Sequence, residues 1–210
     1  MRSLAVGGNS RSVGKTSLVA SIIAATPEAE WTAVKLTLFG HGICTRSGTP
    51  CSCAVNDPAC PYEISVEDGL VPTTDTARML AAGAADVLWI RVAMGRLGAA
   101  MPAILQSLRD RRHVLFESNS IVEHLRPNAY LSVLHFDTRD CKASAARLAA
   151  SADAFVVSPS ERRLPDWPGF DPGVLRRKPV FDAEPPSYCT PEIVRFVRRR
   201  VLQDERIDTH

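Results

Sequence analysis

The chain has 210 residues, is 45% hydrophobic and carries a formal net charge of +2. That length can bury one substantial core, so a single domain over residues 1–210 is the first expectation. The near-neutral balance gives no reason to expect a nucleic-acid surface, and no apolar stretch is long enough to cross a membrane. The first residues also lack the long apolar region of a signal peptide, so a cytoplasmic location is expected.

In chain order, Ser3 to Val6 is a short apolar run bounded by Gly7-Gly8 and reads as a buried strand. Thr16 to Ala25 is rich in good helix formers and stops before Pro27, which predicts a helix entered straight from the glycine loop. Thr32 to Phe39 has β-branched character and reads as a second strand. Residues 40–61 abandon the core pattern for Gly, Ser, Thr, Pro and Cys, and form an insert that something must tie down.

Beyond the insert, Asp75 to Ala82 reads as a helix with Thr73 or Thr74 as cap and Gly83 past its end. Ala85 to Val92 is a strand, and Leu97 to Arg111 a helix with Pro102 to be absorbed near its first turn. Strands are expected at His113 to Phe116, Ala129 to Phe136 and Ala154 to Val157, with a helix from Lys142 to Ala150. After a Pro- and Arg-rich stretch with an edge strand at Pro179 to Phe181, Thr190-Pro191 opens a final helix. Strands alternating with helices imply an α/β fold with a mainly parallel sheet flanked by helices, whose ligands gather at the carboxyl ends of the strands.

The first strand, a glycine turn and then Gly14-Lys15-Thr16 opening a helix is the order that phosphate binding requires. Backbone N–H groups converge on the anion and the helix N-terminus adds a favourable dipole. The candidate nucleotide loop is Gly8, Asn9, Ser10, Arg11, Ser12, Val13, Gly14, Lys15, Thr16 and Ser17. Lys15 can reach the β- and γ-phosphates, and the Thr16 hydroxyl can ligate Mg²⁺. The common form places glycine five residues before Gly14, where Asn9 stands here. Asparagine's tolerance of left-handed backbone is the expected accommodation.

Glu117 ends an apolar strand, where a carboxylate can hold Mg²⁺ through water, orient an attacking water, or simply cap the next turn. Asp137 ends another strand and is a further candidate. Lys35 lies in a strand apolar on both sides and needs a phosphate or carboxylate partner if buried. Asp75 and Arg78 share a helix face, as a surface ion pair or as substrate-facing groups.

The insert carries Cys44, Cys51, Cys53 and Cys60 in the order C-x6-C-x-C-x6-C, with His41 just before them. A tight cluster in a cytosolic setting suggests metal before disulfides. Four thiolates suit tetrahedral zinc or an iron–sulfur cluster, and the spacing leaves both open. Cys141 and Cys189 read as packing cysteines.

Gly8-x5-Gly14-Lys15-Thr16, with Val13 before the second glycine, resembles the loop of dethiobiotin synthetases. Asp75-Thr76-Ala77-Arg78 followed by Ala82-Gly83-Ala84 resembles a stretch of the molybdopterin-guanine dinucleotide biosynthesis protein B family, whose second strand also carries a lysine and histidines, as Lys35 and His41 do here. That family's later strand ends in an acidic residue, matched by Glu117. Both families are P-loop NTPases, so the resemblance implies that fold, Mg-dependent nucleotide chemistry and a homodimer. No Asn-Lys-x-Asp motif marks guanine, which leaves ATP or GTP open. The expected function is a nucleotide hydrolase with a cysteine-bound metal, acting with a protein partner in cofactor or metal-centre assembly. The alternative is an ATP-dependent small-molecule ligase or kinase.

Overall fold

The computed structural model describes residues 1–40, 60–185 and 188–203. Among these, eight strands form one sheet in the order β3-β4-β2-β5-β1-β6-β7-β8. The strands are β1 (Arg2–Gly8), β2 (Thr32–Phe39), β3 (Tyr62–Val66), β4 (Asp86–Ala93), β5 (His113–Glu117), β6 (Ala129–Leu134), β7 (Ala154–Val157) and β8 (Val180–Asp182). All neighbouring pairs are parallel except β3 with β4. The helices are α1 (Lys15–Ala25), α2 (Asp75–Ala81), α3 (Leu97–Ser107), α4 (Ala143–Leu148), α5 (Val174–Arg177) and α6 (Pro191–Val197), the last continuing as a wider turn through Leu202.

Period-two alternation sorts the strand residues into two cores, because successive side chains leave opposite faces of a strand. Leu4, Val6, Leu115, Leu131 and Val133 pack with Leu18, Val19, Ile22 and Ile23 of α1, Met79 of α2 and Ile193 and Phe196 of α6. Ala5, Val34, Val114, Phe116 and Phe155 pack on the other face with Leu97, Met101 and Ile104 of α3, Leu148 of α4, and Trp167 and Phe170. The sheet is thus buried on both faces, as a parallel sheet requires. Each fully buried aliphatic side chain contributes roughly 1.5–3 kcal/mol relative to exposure.

β1 is central: Arg2–Val6 pair with His113–Glu117 on one side and Leu4–Gly8 with Ala129–Val133 on the other. The chain leaves β1 towards β2 on one side, while β6 follows β5 from the other. The crevice above such a reversal of strand order is where open α/β sheets hold ligands, and the glycine loop emerges there.

Several boundaries differ from expectation for identifiable reasons. β3 was not expected; it is a half-buried, antiparallel edge strand without a core run. β6 stops at Leu134 rather than Phe136, because the His135 N–H donates to Asn9 Oδ1 instead of continuing a strand ladder. β5 runs one residue further, to Glu117, which is in register with both Val6 and Lys35. Pro102 lies inside α3, a full turn beyond its start at Leu97. His41, Cys44, Cys51 and Cys53 lie outside the described residues. Among the described residues no group of three or more His, Cys, Asp or Glu is disposed to hold a metal ion, and no helix is long and apolar enough to cross a membrane.

Candidate functional site: a glycine loop and a buried cation–carboxylate cluster

Gly7 and Gly8 end β1 where other groups come very close. A Cβ on Gly7 would stand 1.9 Å from Asn119 Oδ1 and 2.7 Å from the Tyr130 hydroxyl. Asn119 uses this proximity to bracket Gly8, accepting from its N–H at 2.8 Å and donating to its carbonyl at 3.0 Å. The Tyr130 hydroxyl donates to the same Oδ1 at 3.1 Å. A side-chain amide thus takes the place of a strand ladder just where the chain leaves the sheet, and all these groups are buried.

Asn9 is fully buried, and its backbone is not left-handed as expected. Its side chain instead fastens the loop to the segment after β6: Nδ2 donates to Thr138 Oγ1 at 2.6 Å and Oδ1 accepts from the His135 N–H at 3.1 Å. Its backbone N–H donates to Val133 O, and its carbonyl accepts from the Lys142 N–H at 2.7 Å. The left-handed positions within the loop are Ser12, at φ 57°, and Gly14, at φ 97°. Gly14 is doubly constrained, since a Cβ there would meet Tyr188 Cε1 at 2.4 Å. Ser10 donates to the Asp140 carboxylate, and Ser158 donates to the Val13 carbonyl at 3.3 Å. Arg11 is exposed and Val13 is buried.

Lys15 begins α1 and turns its ammonium back to the Ser10 carbonyl, at 2.6 Å. Burial, with the positive charge of Lys142, lowers its pKa to about 8. The next residue, Thr16, donates from Oγ1 to Glu117 Oε2 at 2.8 Å. Lys35 stands beside Glu117 in the β2–β5 register, and its Nζ lies 2.7 Å from Glu117 Oε1. The same ammonium lies 2.5 Å from Asp75 Oδ2, at the start of α2. Burial works against the charge on Lys35, but the two carboxylates outweigh it and hold its pKa above the ordinary lysine value. Burial would raise the Asp75 pKa; hydrogen bonds from Lys35 and Thr16, together with the charges of Lys35 and Arg78, depress it instead.

Strand periodicity explains this convergence. Lys35 has the parity of Ala33, and Glu117 that of Leu115, so both side chains emerge on the α1 face at the carboxyl end of the sheet. Thr74 caps α2 by accepting from the Ala77 N–H at 3.0 Å, which sets Asp75 in the first turn opposite Lys35. Arg78 reaches Ser17 Oγ at 3.0 Å, and its ion pair with Asp75 is a long one at 4.0 Å.

Asp137 has a different set of partners. Its two oxygens accept from the N–H groups of Glu161 and Arg162, at 2.8 and 3.0 Å, which hold its pKa below the ordinary value and pin the segment after β7. Cys60, at the return of the insert, donates to the Tyr62 carbonyl at 2.9 Å. Cys189 is half-buried with its pKa pushed up to about 11 by burial, as suits a packing cysteine.

Two residues of this site escape sequence reading. Asn119 is only the third residue past the strand's apolar run, in a stretch that reads as a polar turn. Lys142 is at the N-cap of α4, and burial followed by the positive charges of Arg11 and Lys35 lowers its pKa. A lysine at a helix N-terminus is opposed by the helix dipole, and that was the available signal.

No protein-family model matches the chain, and no curated protein matches it. Among solved structures, it is similar to LpxK from Aquifex aeolicus, described as an "apo" form in complex with ATP, with 15% sequence identity and a TM-score of 0.45. That likeness covers 87% of this chain and 53% of the other, so the chain spans about half the length of the structure it matches.

Proposed function

We propose that the chain binds the polyphosphate of ATP or GTP on the loop from Gly8 to Ser17, with Mg²⁺, and that the bound terminal phosphoryl group is its reactive part. The observation that carries this reading is the Thr16 hydroxyl held on buried Glu117 at the mouth of a glycine loop whose lysine turns back over that loop. Thr16, Glu117 and Asp75 fit Mg²⁺ by the chemistry of their donors, all hard oxygens joined in one hydrogen-bonded group. Bound there, the metal would supply positive charge against the phosphates.

The chain's own groups then have separable tasks. The loop N–H groups and the N-terminus of α1 cradle the anion. Lys15 exchanges the Ser10 carbonyl for phosphate oxygens. Glu117 holds Thr16 in orientation and is placed to order a water, which makes hydrolysis the simplest reaction. Lys35 keeps two carboxylates compatible with each other and with the incoming triphosphate. Asp137 enters as a fastener of the segment after β7.

The test is Mg-dependent binding of fluorescent ATP and GTP analogues to the wild type and to Lys15→Ala. The wild type is expected to bind, and the variant to lose binding while keeping its fold. Equal affinity in the two, or no affinity in the wild type, overturns the reading. Turnover with water alone supports a hydrolase in cofactor or metal-centre assembly; turnover only with an added metabolite supports the ligase or kinase alternative.

The cysteine insert as a zinc or iron–sulfur site is part of the same proposal and rests on sequence spacing. Colourless, metal-free protein purified without oxygen would remove it.

A further inference from the structure

Lys15, Lys35 and Lys142 act electrostatically on one another around the loop, with Arg11 also acting on Lys142. Their circumstances differ. Lys35 is neutralised by Asp75 and Glu117, and Lys15 is bonded to the Ser10 carbonyl. Among the described residues the Lys142 ammonium has no hydrogen bond or ion pair. Nevertheless its backbone N–H is bonded to Asn9 O at 2.7 Å, which fixes this residue against the loop. Its side chain keeps access to solvent, so a ligand can reach it.

The side chain is exposed, and the cations Arg11 and Lys35 act on it against the acids Glu117 and Asp140. Asp140 accepts hydrogen bonds from Ser10, so water is left to solvate the Lys142 ammonium at the rim of the loop. A polyanion in the loop would give that ammonium a partner without breaking an existing bond.

We infer that Lys142 contacts the terminal phosphate of the bound nucleotide and stabilises the charge that develops as that group is transferred. This rests on the nucleotide reading above. In hydrolysis the bond from the terminal phosphorus to the β–γ bridging oxygen breaks, and a bond to a water oxygen forms. The electron pair stays on the bridging oxygen of the diphosphate, and the water's proton is released to phosphate or solvent. Lys142 donates a hydrogen bond to the transferring group throughout and is not consumed. It supplies from the same chain what other phosphoryl-transfer proteins obtain from an arginine finger.

The experiment compares wild type, Lys142→Ala and Lys142→Arg. Both substitutions retain the backbone N–H that bonds Asn9. Three quantities are measured: affinity for Mg-diphosphate, affinity for the diphosphate–aluminium fluoride complex, and kcat. Lys142→Ala is expected to leave diphosphate affinity within about 3-fold, weaken the fluoride complex by more than 10-fold, and lower kcat by about 10²-fold, with partial rescue by arginine. Equal losses for diphosphate and fluoride complex would reduce Lys142 to general attraction and overturn the inference, as would unchanged kcat. Failure of the wild type to bind any nucleotide would instead defeat the parent reading, so the two failures are distinguishable.

Discussion

Replacing Lys35 by methionine tests the central cluster without emptying space, since methionine keeps most of the aliphatic stem of this residue on β2, the strand between β4 and β5. The Glu117 side chain is 4% exposed, Lys35 21% and Asp75 48%. Breaking a fully buried pair by removing one partner costs about 3–5 kcal/mol. The half-exposed Asp75 arm contributes little and water reaches part of Lys35, which brings the expected loss to about 2–3 kcal/mol. For a chain of this size that is a fall in Tm of roughly 4–12 °C. Urea unfolding of the wild type, Lys35→Met, Glu117→Gln and the double variant isolates the pair, with a coupling of about 1.5–3 kcal/mol expected. Mg²⁺ alone, without nucleotide, should raise the Tm of Lys35→Met more than that of the wild type, because the variant leaves buried Glu117 without its ammonium and Asp75 with only the long Arg78 pair. A single-variant loss below about 1 kcal/mol, or a coupling near zero, would show that the ammonium does not neutralise Glu117 as described.

Gly7→Ala should destabilise the protein by about 1–3 kcal/mol and weaken nucleotide binding, because the new methyl drives Asn119 off the Gly8 backbone; chemical denaturation checks the first and fluorescent-nucleotide titration the second. Alkaline pH should affect empty and loaded protein in opposite directions. The folded-state pKa of Lys15, about 8, lies below its ordinary value of 10.5, so the unfolded chain binds more protons between those values. In that window Lys15 makes the empty protein more stable as pH rises, relieving a penalty that is fully present below pH 8. Under the proposed function a nucleotide is held by the charged form, so the nucleotide-induced rise in Tm should shrink from pH 8 upward. A shift constant from pH 7 to 10 would show that Lys15 carries no part of the phosphate contact.

How far the sequence revealed this molecule depends on which forces set each feature. β7 has its expected limits because it is a continuous apolar run of a buried parallel strand, and β2 because its β-branched residues stop at Gly40. The loop was visible because glycines, lysine and threonine stand between such a run and a helix. β3 was not visible, since an edge strand needs neither a full apolar face nor length. Asn9 stands where the loop pattern departs from the common form, but it acts through hydrogen bonds to residues more than 120 positions away rather than through left-handed backbone. Lys35 and Glu117 were found separately; that they are direct neighbours follows only from placing β5 beside β2, a matter of strand order that no local pattern encodes.

The brackets made by Asn9 and Asn119 imply that this loop is not a portable cassette. Its curvature is imposed by amides that belong to the core, so grafting residues 8–16 onto another scaffold would transfer the letters without the shape. Conversely, restoring the commoner glycine at position 9 would sever the link to Thr138 and His135, and a swap towards the consensus motif would loosen the loop it was meant to perfect.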